Sequence, residues 1–367
     1  MNGKNFIKQA ATCAAISGLS PAMVGCRHEY YSATDFLAAP KIDVHFHYWT
    51  RDDTYLLYAD SLGIRLVTIM LDGMVAIDEQ KSIIAALQKK HPGMMDFLGA
   101  FSVKNFGNDD FIEQTIATID QFMNAGAKGI KIWKNIGMDL QDEQGNYVMA
   151  DDPRLAPVFS HIEKQAIPII SHLGEPKNCW LPIEEMSIAS NQYYFSNNPT
   201  YHMYLHPEKP SYEQHLQTFD NLLRKYPRLK MIAAHLASLE WSIDELAKRF
   251  DAHPNLTVDV SSRLSFLQLQ ALHDRAKMLS FLTKYQDKIL YGSDIVLQAS
   301  SPENREEQKQ RLMDTWLHQW NFFATGETVP ANNFASESLP KEMQGLRLPK
   351  TIVDKIFYGN AKRVLGM

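Results

Sequence analysis

The sequence predicts a (β/α)8 barrel. Eight short apolar runs recur along the chain, at 41–46, 66–71, 97–103, 128–133, 167–172, 230–235, 256–260 and 289–294. Amphipathic helical patterns separate several of them, and strand alternating with helix is the signature of a mostly parallel sheet. Four of the runs carry His or Asp at their ends, which is where a barrel gathers its active site. An open doubly wound sheet is the other fold with this alternation, and the count of eight favours the barrel. At 367 residues the chain is long enough for one barrel with extended loops.

Composition narrows the function. Hydrophobic residues make up 45% and charged residues 22%, which excludes a wholly disordered chain. A formal net charge of -5 without a long Lys/Arg tract is poor electrostatics for non-specific nucleic-acid binding. With 3 Cys there is no disulfide framework. Neither GxGxxG nor GxxxxGK[ST] occurs, so nothing points to a dinucleotide or a P-loop nucleotide.

Residues 1–25 read as an export signal rather than as part of the barrel. Lys4 and Lys8 give a basic start, a mildly apolar stretch runs from Ala10 to Gly25, and no acidic residue precedes Glu29. The stretch ends in Met23-Val24-Gly25-Cys26, which resembles a bacterial lipobox, in which the Cys becomes the lipidated first residue. That resemblance implies a lipoprotein held outside the cytoplasm by lipid chains. A frayed amphipathic helix on a cytoplasmic enzyme is the plainer alternative. Residues 26–40 read as a linker, and 41–367 as the barrel with a C-terminal helix.

Within the barrel, local signals mark the helices. Ile112, Ile116, Ile119 and Met123 fall at helical spacing, with Gly126 placed to end the helix. Asp152-Pro153 reads as an N-cap followed by a first-turn proline. Ser211 can cap a helix carrying Leu216, Phe219, Leu222 and Leu223, which Pro227 stops, and another runs through Ile243, Leu246 and Phe250. Two stretches exceed plain barrel connections, 173–210 after strand five and 295–349 after strand eight. Loops of that length usually belong to the active-site face. In the first, Tyr201, His202, Tyr204 and His206 read equally as a lid or as a packed surface or subunit contact. In the second, Trp316, Trp320, Phe322 and Phe323 should bury the insertion against the barrel. The chain closes with a helical stretch, 350–365.

Chemistry concentrates at strand ends. In Ile42-Asp43-Val44-His45-Phe46-His47, strict alternation puts Ile42, Val44 and Phe46 on one face and Asp43, His45 and His47 on the other. The second face would point two imidazoles, at i and i+2, into the barrel mouth, where they can chelate one divalent cation. His172, His235 and Asp294 end strands five, six and eight. Any one of them alone reads as a hydrogen-bonded core residue or a helix cap. Four strands ending in metal-type ligands read as a site.

The arrangement resembles the amidohydrolase superfamily, most closely the amidohydrolase 2 branch that includes aminocarboxymuconate-semialdehyde decarboxylase. The resemblance covers nearly all of 41–366. It includes Asp43-Val44-His45-Phe46-His47, Gly129-Ile130-Lys131-Ile132, Asp152-Pro153-Arg154-Leu155, His172-Leu173-Gly174-Glu175, Ala234-His235-Leu236, Leu290-Tyr291-Gly292-Ser293-Asp294 and Gly359-Asn360-Ala361-Lys362-Arg363. It implies that His45, His47, His172 and Asp294 bind one metal, and that His235 positions or deprotonates the attacking water. Three imidazoles and one carboxylate suit Zn2+. In some branches a carboxylated lysine bridges a second metal. Lys131 is the inward-facing candidate for that bridge, or otherwise a substrate contact. The implied reaction is metal-dependent hydrolysis of an amide, ester or lactone of a small molecule, with decarboxylation on the same fold as the rival. A catalytically silent barrel lipoprotein is a third reading. Arg51, Trp133, Glu175 and Arg263 are further substrate-binding candidates, and a homo-oligomer is compatible with all three readings.

Overall fold

Parallel strands pair in sequence order around the molecule: β1 (Lys41–Trp49), β2 (Ile64–Ile69), β3 (Met95–Ala100), β4 (Ile130–Ile132), β5 (Ile169–Ser171), β6 (Met231–Ala233), β7 (Leu256–Asp259), β8 (Ile289–Leu290) and β9 (Ile295–Gln298). This computed structural model describes residues 29–299 and 301–367; the expected export signal at 1–25 and Cys26 lie outside them. The order in the sheet is β8-β7-β6-β5-β4-β3-β2-β1-β9. β8 and β9 are two parts of one interrupted eighth strand. β8 pairs with β7, whereas β9 pairs with β1. Between them the Val44 N–H donates to the Tyr291 carbonyl at 3.1 Å and the Asp294 N–H donates to the His45 carbonyl at 2.7 Å. The eighth strand thereby bonds to both the seventh and the first, and the sheet curls into a TIM-barrel-like α/β fold.

Two apolar layers result. One lies between strands and helices and includes Phe46, Leu66, Phe97, Ile130, Ile169, Met231, Leu256 and Ile289. The other gathers Ile42, Val44, Val67, Ile69, Leu98, Ile170, Ile232 and Leu290 with Ala361, Val364 and Leu365 of the final helix Asn360–Leu365. It fills the barrel interior and the last helix stoppers it.

This second layer corrects the strict alternation expected in β1. Ile42 and Val44 face the interior, while Phe46 faces the helices. The cause is a bulge. Between Asp43 and Phe46 the register on β2 advances only from Leu66 to Thr68, so β1 carries one extra residue. Asp43 is turned away from the cavity. It accepts from the Ser293 N–H at 2.9 Å, the His45 N–H at 3.2 Å and the Trp316 indole at 3.1 Å.

Helix signals map closely onto structure. The helix Phe111–Asn124 buries Phe111, Thr115, Ile119 and Phe122, so its inner face is rotated from the expected Ile112–Met123 stripe toward the two aromatics, which carry more apolar area. Gly126 follows it at φ +92°. Asp152 accepts from the Arg154 N–H at 2.8 Å, and Ser211 caps Tyr212–Lys225 through the Gln214 N–H at 3.2 Å. Residues 29–40, expected as a linker, instead pack on the barrel from Glu29 onward. The turn Ala33–Leu37 buries Phe36, and the Lys41 ammonium donates to the Phe36 and Ala39 carbonyls.

The loop after β5 folds into short helices around Met138, Cys179, Met186, Phe195 and Met203. The long insertion after β9 is dominated by the helix Arg305–Ala324, which buries Trp316, Trp320, Phe322 and Phe323. Among the described residues, no helix is long and apolar enough to cross a membrane.

Candidate metal centre

Three backbone irregularities bring the polar side chains into the barrel mouth. The bulge in β1 shifts its phase so that His45 and His47 turn inward above the apolar layer. After β6 the chain makes a left-handed turn, with His235, Leu236, Ala237 and Ser238 all at φ between 55° and 59°. Such conformations cost roughly 1–2 kcal/mol per non-glycine residue. Here buried Leu236 and Leu239 and the bond from the His235 N–H to the Asp259 carboxylate at 2.8 Å oppose that cost. The break in the eighth strand leaves Asp294 at φ 62°, and Gly292 lets the strand pass β1, since a Cβ there would lie 2.8 Å from the His45 Cβ.

A cavity of about 190 Å³ follows, lined by His45, His47, Lys131, His172, His235 and Asp294 and walled by Trp49, Leu71, Met74, Trp133, Lys134 and Val296. His45, His235 and Asp294 offer ligand atoms that all lie within 4.8 Å of one another, so they form a group able to hold a divalent metal. Asp294 Oδ1 is 3.5 Å from His45 Nε2 and 3.4 Å from His47 Nε2. The His172 ring centroid is 4.3 Å from that of His235. That trio includes His235, expected beside the metal, while His47 and His172 flank it.

Hydrogen bonds set the imidazole tautomers. His45 Nδ1 is 2.8 Å from the Asp259 carboxylate, His47 Nδ1 is 3.0 Å from the Ile69 carbonyl, and His235 Nδ1 is 3.0 Å from the Ser261 carbonyl. Carbonyls and carboxylates only accept, so each Nδ1 carries the proton and each Nε2 has a free lone pair. Metal-binding histidines need that arrangement. His172 Nε2 is buried with no hydrogen-bond partner. The donor set thus fits a divalent cation, by the direction of three lone pairs, an orphaned imidazole nitrogen and one carboxylate.

Electrostatics agree. Burial pushes His172 down to about 4, and burial, followed by the cost of charging it beside the His172 ring, holds His235 well below the usual imidazole range. His47 is lowered, again chiefly by burial. Burial would raise Asp294, but His45, His235 and His47 outweigh it and hold its carboxyl well below the usual range. His47, His172 and His235 are thereby biased toward neutral imidazoles and Asp294 toward the carboxylate, the protonation states that ligation of a cation requires.

The remaining expected site residues divide. Lys131 and Trp133 line the cavity, and the buried Lys131 Nζ has no hydrogen-bond partner; burial lowers its pKa to about 8. Glu175 pairs with Lys134 and lies 3.7 Å from His172 Nε2. Arg263 is buried beyond the cavity wall and donates to the Ser262 carbonyl at 3.1 Å. Arg51 turns outward, at 2.6 Å from Glu79 and 2.8 Å from Ser82 Oγ. In the long loop, His202 is buried against the Leu181 carbonyl, while Tyr201 and Tyr204 are exposed.

Two residues were not anticipated, Asp259 and Ser261 at the end of β7. The available signal was an acid closing Leu256-Thr257-Val258-Asp259 in the register that carries His and Asp on the neighbouring strands.

A family model described as amidohydrolase matches residues 42–367. The crystal structure of 2,6-dihydroxybenzoate decarboxylase from Rhizobium is similar at TM-score 0.53 and 15% identity, covering 89% of this chain and 99% of that one. The structure of 2,6-dihydroxybenzoate decarboxylase complexed with 2,6-dihydroxybenzoate gives 0.51 and 15%, covering 90% and 100%. A probable 2-pyrone-4,6-dicarboxylic acid hydrolase from Acinetobacter baumannii gives 0.47 and 10%, covering 89% and 99%. At these identities the likeness is one of fold. No curated protein matches the sequence.

Proposed function

Since the chain belongs to the amidohydrolase family, we propose that it is a metal-dependent hydrolase that uses water to cleave an amide, ester or lactone of a small molecule. The observation that carries this reading is the convergence of three Nε2 lone pairs and the Asp294 carboxylate on one small cavity. His45, His47, His172 and Asp294 would hold one divalent cation, Zn2+ being the best match to imidazole-rich ligation, with His235 either completing the set or facing the water. When bound, such a cation lowers the pKa of water to about 7 and polarises a carbonyl oxygen.

The chain's own groups do the rest. Asp294 takes the proton of the attacking water at a carboxylate oxygen, while Ser262 Oγ donates to Oδ2 at 2.8 Å and fixes its plane. His235 Nε2 accepts a hydrogen bond from the same water and aims its oxygen at the carbonyl carbon. The proton on Asp294 then passes to the departing nitrogen or oxygen. Lys131, a buried ammonium without a partner, neutralises an anionic substituent of the substrate. Trp49 and Trp133 offer flat apolar walls to the remainder.

The second reading is loss of CO2 from a small carboxylic acid. Lys131 favours it, because a decarboxylase needs a cation for the carboxylate and no attacking water, and the Rhizobium relative by fold carries that name. The experiment is product analysis. Zn2+-loaded protein is offered amides, esters, lactones and carboxylated aromatics. A hydrolysis product supports the first reading and released CO2 selects the second. Protein that takes up no metal and turns over nothing would leave only a binding protein that kept the barrel.

We propose further that residues 1–25 direct export and that Cys26 is the lipidated N-terminus. Intact mass of protein from its native host tests this, and a species retaining Met1 refutes it.

A further inference from the structure

We propose that Asp259, at the end of β7, and Ser261, just after it, form a single positioning device that fixes two cavity imidazoles at once, and that Asp259 sets the tautomer of His45. The proposal rests on reading the cavity as a metal centre, but it concerns residues outside the ligand set.

Asp259 is fully buried, and its two oxygens have separate tasks. Oδ2 is 2.8 Å from His45 Nδ1. Oδ1 accepts from the His235 backbone N–H at 2.8 Å, from the Ser261 N–H at 3.1 Å and from the Ser261 hydroxyl. Ser261 Oγ in turn lies 3.1 Å from His45 Nδ1 and 2.9 Å from His235 Nδ1. One carboxylate therefore pins the ring of a residue on β1 and, through its other oxygen, the first residue of the strained left-handed turn after β6. His45 and His235 come from strands far apart in the ring, yet their centroids are 4.9 Å apart. β1 and β6 are not neighbours in the sheet, so no ladder hydrogen bond relates the two rings, and the Asp259–Ser261 pair joins them at their Nδ1 sides.

The sense of the hydrogen bond matters more than its strength. An ionised carboxylate can only accept, so His45 must carry its proton on Nδ1 and keep Nε2 free for a cation. An amide in the same place, as in Asp259→Asn, cannot satisfy both contacts. If that amide keeps its oxygen on the His235 N–H, its NH2 meets His45 Nδ1 and drives the proton to Nε2, into the cavity. Turned the other way, the NH2 faces the His235 N–H donor-to-donor.

The test uses the full chain. In the metal-free protein, 15N-resolved NMR of the imidazoles should show His45 and His235 both protonated at Nδ1. Asp259→Asn should move the His45 proton to Nε2 and weaken Zn2+ binding, read by calorimetry, by about 10–100-fold, the range for losing such an outer partner. Ser261→Ala should leave the His45 tautomer in place. A wild-type His45 protonated at Nε2 overturns the proposal, as does an Asp259→Asn variant that binds Zn2+ as tightly as wild type. The wild-type tautomer is read whether or not the variant folds. It is also independent of turnover, so a silent enzyme with the expected tautomers would count against the proposed reaction and not against this device.

Discussion

The two ends of the barrel interior are built on the same strands and do opposite things. At the lower end, Ile42, Val44, Ile170, Ile232 and Leu290 pack with Val364 and Leu365 in one apolar cluster. A few residues further along the same strands stand His45, His172, His235 and Asp294. The lower end follows regular strand geometry. The upper end departs from it three times, at the β1 bulge, the left-handed turn after β6 and the gap between β8 and β9. Regular backbone packs apolar residues, and irregular backbone re-aims individual side chains, so strain collects where the chemistry is.

This contrast is tested most severely at Asp294. Asp294→Asn keeps the side chain's shape but removes the proton acceptor and a negative ligand. Turnover should fall by on the order of 100-fold or more, the scale for losing a general base. The melting temperature of the metal-free protein at neutral pH should fall, since a carboxyl held below its usual range stabilises the fold while it is ionised. Metal content is measured alongside rate. Full activity in this variant would remove the proposed mechanism.

The opposite experiment belongs at the lower end. Ile170 is fully buried in the interior layer. Ile170→Ala should cost about 2–5 kcal/mol of stability, by transfer and cavity terms together, in a denaturant melt. Metal stoichiometry should stay the same. Loss of metal at unchanged stability would mean that the two ends are not separable.

Acid should weaken the metal-free protein through the upper end. His172 has its pKa pushed to about 4, below the ordinary 6.5. Between those values the unfolded chain binds the proton and the folded chain does not, so stability is present above pH 6.5 and is lost as pH falls toward 4. For His172 alone the loss is on the order of 3 kcal/mol. His215, lowered to about 4 by burial, adds to it in the same direction. Melts from pH 7 to pH 4 on wild type and His172→Leu should differ in slope, the variant being flatter. Equal slopes would show that His172 is not held neutral.

Much of this was legible in the sequence. The HxH pair, the two strand-end histidines and the Gly-Ser-Asp end of strand eight announced a site at one end of a barrel, because residue type and strand position are both readable in a linear pattern. What escaped depends on departures from that pattern. Alternation put Asp43 with the histidines, and only a one-residue register slip against β2 removes it. The role of Asp259 needed the distance from β7 to β1, which no local spacing encodes. The 29–40 segment lacks periodicity, yet Phe36 finds the Trp320 side chain through tertiary packing at 5.9 Å between rings.

The smallest effect is expected at Arg51, and it sharpens where the boundary of the site lies. A cation just past the HxH strand invites assignment to substrate binding. Its guanidinium instead bridges Glu79 and Ser82 on the helix Ile77–Lys90, with 52% of the Arg51 side chain and 48% of Glu79 open to solvent. Exposed pairs of this kind contribute little and are screened by salt. Arg51→Ala should therefore leave the melting temperature, KM and kcat close to those of wild type. Lys131→Met, by contrast, removes the one lining ammonium without a partner and should raise KM for an anionic substrate about 10-fold or more, the loss of one charge-assisted hydrogen bond. If Arg51→Ala raised KM instead, substrate recognition would extend past the cavity rim to the β1 loop, and the division between a polar cavity and an inert outer surface would have to be redrawn there.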